Sequence, residues 1–143
     1  MSSQARQAYL EGEILQANPV ELVRILYKAA LDSVVQARRH LQAGNIAARS
    51  RQIARAGEIL NELAMAVNHD NGGAIARNLV ELYDYMQRLL MDANFRQVEP
   101  PLEELQRLLS VLLDAWQQLA SAESIQNLAS QHTETKTPAS LSY

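Results

Sequence analysis

Between Asn71 and Asn94 the chain reads NGGAIARNLVELYDYMQRLLMDAN, and its apolar residues Ile75, Leu79, Leu82, Tyr83, Met86, Leu89, Leu90 and Ala93 recur at steps of three and four. A strand turns every second residue to the same face, so this spacing points to a helix with one buried side. A helix of that kind needs partners to cover its stripe. The run Asp70-Asn71-Gly72-Gly73 in front of it turns the chain tightly before the helix sets off.

The partners are found on both sides. Asn18-Pro19-Val20-Glu21 opens a helix: Asn18 caps the free amides, Pro19 suits a first position whose N–H has no partner, and Glu21 stands where a capping-box carboxylate would. Gly44 closes it after Ala43, with Arg38, Arg39 and His40 toward the negative end of the dipole. Asn45 caps a second helix from Ile46 to about Asn68, with an apolar face of Ile46, Ile53, Ala56, Ile59, Leu60, Leu63 and Val67. The last helix starts at Pro100-Pro101 and carries Leu102, Leu105, Leu108, Leu109, Leu112, Leu113, Trp116 and Leu119.

Four helices, at about 18–43, 46–68, 73–95 and 100–121, match in length and are joined by short connections that force neighbours to run antiparallel. The expected fold is therefore all-α, an up-down-up-down four-helix bundle within residues 18–121. An abundance of Leu and Ala beside one Phe and one Trp favours helix on helix over a sheet. With 143 residues there is room for one domain and one core. Residues 1–17 hold isolated apolar groups among Gln, Ser and Glu and are expected to be a mobile arm. Within it, Tyr9 and Leu10 either patch the edge of the core or form a detachable plug or docking peptide. Residues 122–143 turn to Ser, Thr, Gln and Ala, too little apolar area to offset chain entropy, and are expected to be a disordered tail.

The patterns of common chemistries are missing. A carboxylate-bridged metal pair in a bundle needs Glu-x-x-His motifs, but three residues before His40, His69 and His132 stand alanines. Asn68 to Gly72 lacks the ligand series and terminal Glu of a calcium loop. There is no cysteine, nucleophile elbow, P-loop or dinucleotide glycine pattern, so no enzyme activity, cofactor or metal is expected. A formal charge of -3 gives no general attraction to nucleic acid, and Arg38, Arg39, Arg49, Arg51 and Arg55 are taken as a solvated end. Asp84 with Arg88, and Glu103 with Arg107, are spaced as i,i+4 ion pairs. No stretch approaches the continuous apolar length needed to span a bilayer, and MSSQARQAYLEGE lacks a signal-peptide core, so a cytoplasmic protein without stable membrane insertion is expected.

What is left over is apolar surface. On a wheel of 100° per residue, the leucines of the last helix with Trp116 and Val111 cover about 200°, more than a bundle helix needs. Val80, Met91 and Tyr85 lie off the main stripe of the third helix, and the first half of the first helix is equally broad. Such breadth is either buried by flanking helices or forms grooves for an amphipathic partner helix, from a client or from a second copy.

The residues resemble the FliS family of flagellin-export chaperones. The likeness lies in Ala8-Tyr9, in NPVELVRILYKAAL from Asn18 to Leu31, in GGAIARNLVELYDYM from Gly72 to Met86, and in Leu90, Ala93-Asn94 and Ala115-Trp116. Asn18, Ile25, Lys28 and Ala29 depart from the residues more usual in the family; Ile25 and Lys28 bear on client preference. The resemblance implies a cytoplasmic helical bundle that binds the C-terminal, polymerisation-prone segment of flagellin and presents it to the flagellar type III export apparatus. By the same carry-over, client contacts fall on Leu22, Ile25, Leu26, Ile75, Asn78, Leu79, Leu82, Tyr83, Tyr85 and Met86, several of which must also be core. Tyr9, with Leu10, corresponds to the family's arm, associated with covering the client groove and contacting an export-gate component. Asn78, a polar residue beside the stripe, either bonds client backbone or makes a buried bond to a neighbouring helix. The alternative function is a structural or regulatory bundle that homodimerises through its surplus apolar face.

Overall fold

Pro19 fixes its own φ and has no N–H to leave unpaired, and at this residue the first helix, α1 (Pro19–Ala43), begins in a computed structural model of the chain. The structure describes residues 19–67 and 69–140, with backbone alone over 69–71, 123–127 and 131–140. The arm, with Asn18, Tyr9 and Leu10, lies outside the described residues. Gly44 adopts φ +74, and its N–H bonds the Leu41 carbonyl at 3.2 Å while that of Asn45 bonds His40 at 2.9 Å. This Schellman pair satisfies carbonyls that the end of α1 would otherwise leave open. One residue later the Asn45 side chain accepts from the Ala48 N–H at 3.2 Å and caps α2 (Ile46–Ala66).

α3 (His69–Arg96) is broken near its start, where Gly73 takes φ 54 and ψ -129, a conformation open in practice only to glycine. The straight helix therefore runs from Ala74. α3 ends on Gln97, which has φ 55 and lets Val98 bond back to the Ala93 carbonyl at 3.4 Å. α4 (Pro100–Ser140) follows at once, its first amides, those of Leu102 and Glu103, held by the Glu99 carbonyl at 2.9 and 3.0 Å. It continues as helix past Ala122, where the sequence expectation ends it. No breaker stands between Ala122 and Pro138, and Leu128, Ala129 and Ser130 on this extension are exposed.

α1 packs on α2 and α4, and α3 packs on the same two, so the helices form a ring in chain order. The short connections at Gly44–Asn45 and Gln97–Glu99 make neighbours antiparallel, giving the up-down-up-down bundle. Val34, Leu60, Leu63, Met86, Leu90, Leu102, Leu105 and Leu109 fill the centre. Three expectations about single residues need correcting. Ile46, placed on the buried face of α2, is 56% exposed because it lies in the first turn, outside the ring. Arg49, grouped with solvated arginines, is buried and donates to Asn94 Oδ1 at 3.3 Å. Arg88 lies 5.8 Å over the Tyr85 ring, and neither Asp84 with Arg88 nor Glu103 with Arg107 forms an ion pair; among the described residues the i,i+4 pair that does form is Asp92 with Arg96. Among the described residues no helix is long and apolar enough to cross a membrane.

Candidate functional site: an apolar cleft at one end of the bundle

Antiparallel packing brings the start of α1, the end of α2 and the start of α3 to one end of the bundle, where α4 passes at Trp116. The four stripes do not close over one another there. Between them lies a cleft of about 160 Å³, lined by Val23 of α1, Leu63 and Ala66 of α2, Val67, then Gly72, Ile75, Ala76, Leu79 and Tyr83 of α3, and Trp116. The break at Gly73 shapes it, because the chain enters α3 from the side instead of along its axis.

The floor is aromatic. Tyr27 of α1 and Tyr83 of α3 sit diagonally across the core and their hydroxyls bond at 2.7 Å. Trp116 stacks on Tyr27 with ring centroids 6.3 Å apart and planes at 29°. Burial pushes the Tyr27 phenol far above the ordinary tyrosine range, with the neighbouring Tyr83 adding to the shift; burial raises Tyr83 too. Both hydroxyls are thus neutral, share one hydrogen bond and are turned away from solvent. Among the described residues the lining holds no carboxylate, imidazole, amine or thiol. Among the described residues no group of His, Asp or Glu is placed to hold a metal ion. A surface of this kind takes up apolar side chains.

The residues singled out in the sequence do not fall on one surface. Ile75, Leu79 and Tyr83 line the cleft, and Ile75, 72% exposed, stands at its mouth. Ile25, Leu26 and Met86 are buried, while Leu22 and Leu82 are partly covered and pack against the core. Tyr85 is directed to α4 and donates to Glu104 Oε1 at 2.5 Å, a bond that raises its phenol pKa. Asn78 is exposed one turn from Ile75 and Leu82, and its side chain makes no hydrogen bond to another helix among the described residues. Val23, Ala66, Gly72, Ala76 and Trp116 of the lining were not singled out as contacts. A wheel shows which side of one helix is apolar, but not that four apolar sides part at the same end.

A second, shallower groove runs between α2 and α3, lined by Glu58, Asn61, Glu62, Ala64, Met65 and Val80. Farther along α3, Met91 and Phe95 are 69% and 89% exposed. On α4, Val111 and Leu119 are exposed, so the breadth of its apolar arc is not absorbed by neighbours.

Comparison with known proteins gives a consistent picture. The family model described as "Flagellar protein FliS" matches residues 1–123. The flagellar secretion chaperone FliS of Salmonella typhimurium is 36% identical over 121 residues, covering 84% of this chain and 90% of that protein. FliSB of Pseudomonas aeruginosa is 31% identical over 113 residues, 79% of this chain and 90% of its own length. FliS of Escherichia coli is 29% identical over 129 residues, 87% and 95% respectively.

Proposed function

The chain belongs to the FliS family of flagellar secretion chaperones, and we propose that it binds the C-terminal segment of flagellin in the cytoplasm, keeps it from polymerising early and delivers it to the flagellar type III export apparatus. The observation that carries this reading is the open apolar cleft with Ile75 at its mouth and the unpartnered Asn78 on the same helix. Burying one Leu or Ile is worth roughly 1.5–3 kcal/mol, so three or four anchors outweigh the cost of ordering a flexible segment. Ile75, Leu79 and the edge of Tyr83 supply such anchors directly. Ile25, Leu26 and Met86 serve the client only by holding the walls in place.

The test is titration calorimetry, with circular dichroism on the same mixture, using a peptide of roughly the last forty residues of the host's flagellin. One-to-one binding with a negative heat-capacity change and a gain of helix is expected for coupled folding on an apolar surface. Silence at high concentration overturns the reading and moves weight to a homodimer through the exposed Val111 and Leu119 face of α4, which light scattering across concentration would detect. Asn78→Ala is expected to weaken peptide binding several-fold and to leave the melting temperature unchanged, since no intramolecular bond is lost. If the arm covers the client surface through Tyr9 and Leu10, removing residues 1–10 tightens binding; unchanged affinity counts against a plug.

A further inference from the structure

The adjacent glycines at the cleft do not share one job. Gly73 needs its backbone: its φ of 54 combined with ψ of -129 is a conformation of glycine, yet a methyl group there would meet nothing within 4 Å. Gly72 is the reverse. Its φ lies outside the left-handed region, but a methyl built on it would overlap the Cβ of Ala76. In a continuous helix, side chains four apart stack at about 5–6 Å. The break at Gly73 folds residue 72 back onto the first turn of the straight helix, so the two Cα–Cβ bonds converge. Both residues line the cleft, and Ala76 is 4% exposed.

From this contact we infer that Gly72 and Ala76 form a gauge that sets the width of the cleft and makes this corner specific for a single medium-sized apolar side chain of the client. The inference rests on the client reading above. A cleft of about 160 Å³ compares with the roughly 150 Å³ engineered cavity that takes up benzene, room for one Leu, Met or Phe side chain. One methyl at position 72 cannot be absorbed by rotating a flexible side chain, because its neighbour is itself a Cβ. The corner between α2 and α3 must shift, and the wall of the cleft shifts with it.

The test uses the full chain with two probes: the flagellin C-terminal peptide, and anilinonaphthalene sulfonate followed by energy transfer from Trp116, the only tryptophan. Gly72→Ala is expected to weaken the peptide at least tenfold and to lower dye uptake, and the double variant Gly72→Ala/Ala76→Gly to restore both to within about threefold of wild type. Should Gly72→Ala alone fail to fold, the double variant, in which the same methyl has been moved across the contact, is compared with wild type and with Ala76→Gly, which removes that methyl altogether. Peptide and dye binding indifferent to these changes, in folded protein, overturns the gauge and leaves the client reading standing. A peptide that wild type ignores, beside dye uptake that still follows Gly72, overturns the client reading and with it the specificity, while keeping the contact as a determinant of width.

Discussion

At the scale of single residues, the phenol pair across the core matters most to stability. Tyr27 and Tyr83 share a hydrogen bond of 2.7 Å in a place where neither reaches water freely. Tyr27→Phe strands the Tyr83 hydroxyl and is expected to cost about 1–3 kcal/mol in urea unfolding, whereas Tyr27→Phe/Tyr83→Phe removes both partners and costs less than the sum. The same pair sets an alkaline limit. Their folded pKa values lie above those of the unfolded chain, so their contribution is full below about pH 10 and is lost as pH rises past that value. The double variant should unfold at higher pH than wild type. This pairing was not legible in the sequence, because Tyr27 and Tyr83 are 56 residues apart and meet along a diagonal that no single wheel contains. Gly44 and Asn45 were legible, because a cap depends on residues within one turn of it.

Elements end where local chemistry permits, and two ends here invite tests. Gln97 holds a left-handed φ of 55 that glycine adopts without strain, and its side chain accepts only a long bond of 3.5 Å from Arg49. Gln97→Gly is therefore expected to stabilise by about 0.5–1 kcal/mol, seen as a higher midpoint at unchanged slope in denaturant. The sequence gives no sign of this cap, since the usual glycine is absent. At the far end of α4, helix continues beyond Trp116, the last of the described side chains packed against the core, and Leu128 is 67% exposed. Limited proteolysis should cut within residues 122–140 first and leave the remaining bundle with its melting temperature within a degree or two. Helical backbone follows propensity as well as apolar spacing, and Ala, Gln, Glu and Leu favour it past Ala122.

On the scale of the molecule, periodicity and caps were enough to read the bundle and its order, because short connections leave little choice of topology. The cleft was half legible: Ile75, Leu79 and Tyr83 were named, but its α1, α2 and α4 walls depend on where four helix ends lie in space. Charge also acts at this scale. Arg38 joins α1 to the α3–α4 connection through Glu99 at 2.5 Å and to α4 through Gln106 at 2.7 Å. Its hydrogen bond holds the Glu99 carboxyl below the usual range; Arg24 does the same for Glu21, and Arg96 for Asp92. Depressed carboxyls contribute fully above their unfolded pKa of about 4 and lose that contribution as pH falls through the folded values. Stability should fall on acidification below about pH 4.5, and Glu99→Gln should make that fall shallower.

The ring order has a kinetic consequence. Three of its four seams join helices consecutive in the chain, and only the seam of α1 with α4 must close a long loop. Chains dominated by such local contacts fold within microseconds to milliseconds. The seam closing last carries both the Arg38 bonds and the stacking of Trp116 on Tyr27. Tryptophan fluorescence in a stopped-flow refolding experiment should therefore report the final step of folding, after most of the helical signal has returned.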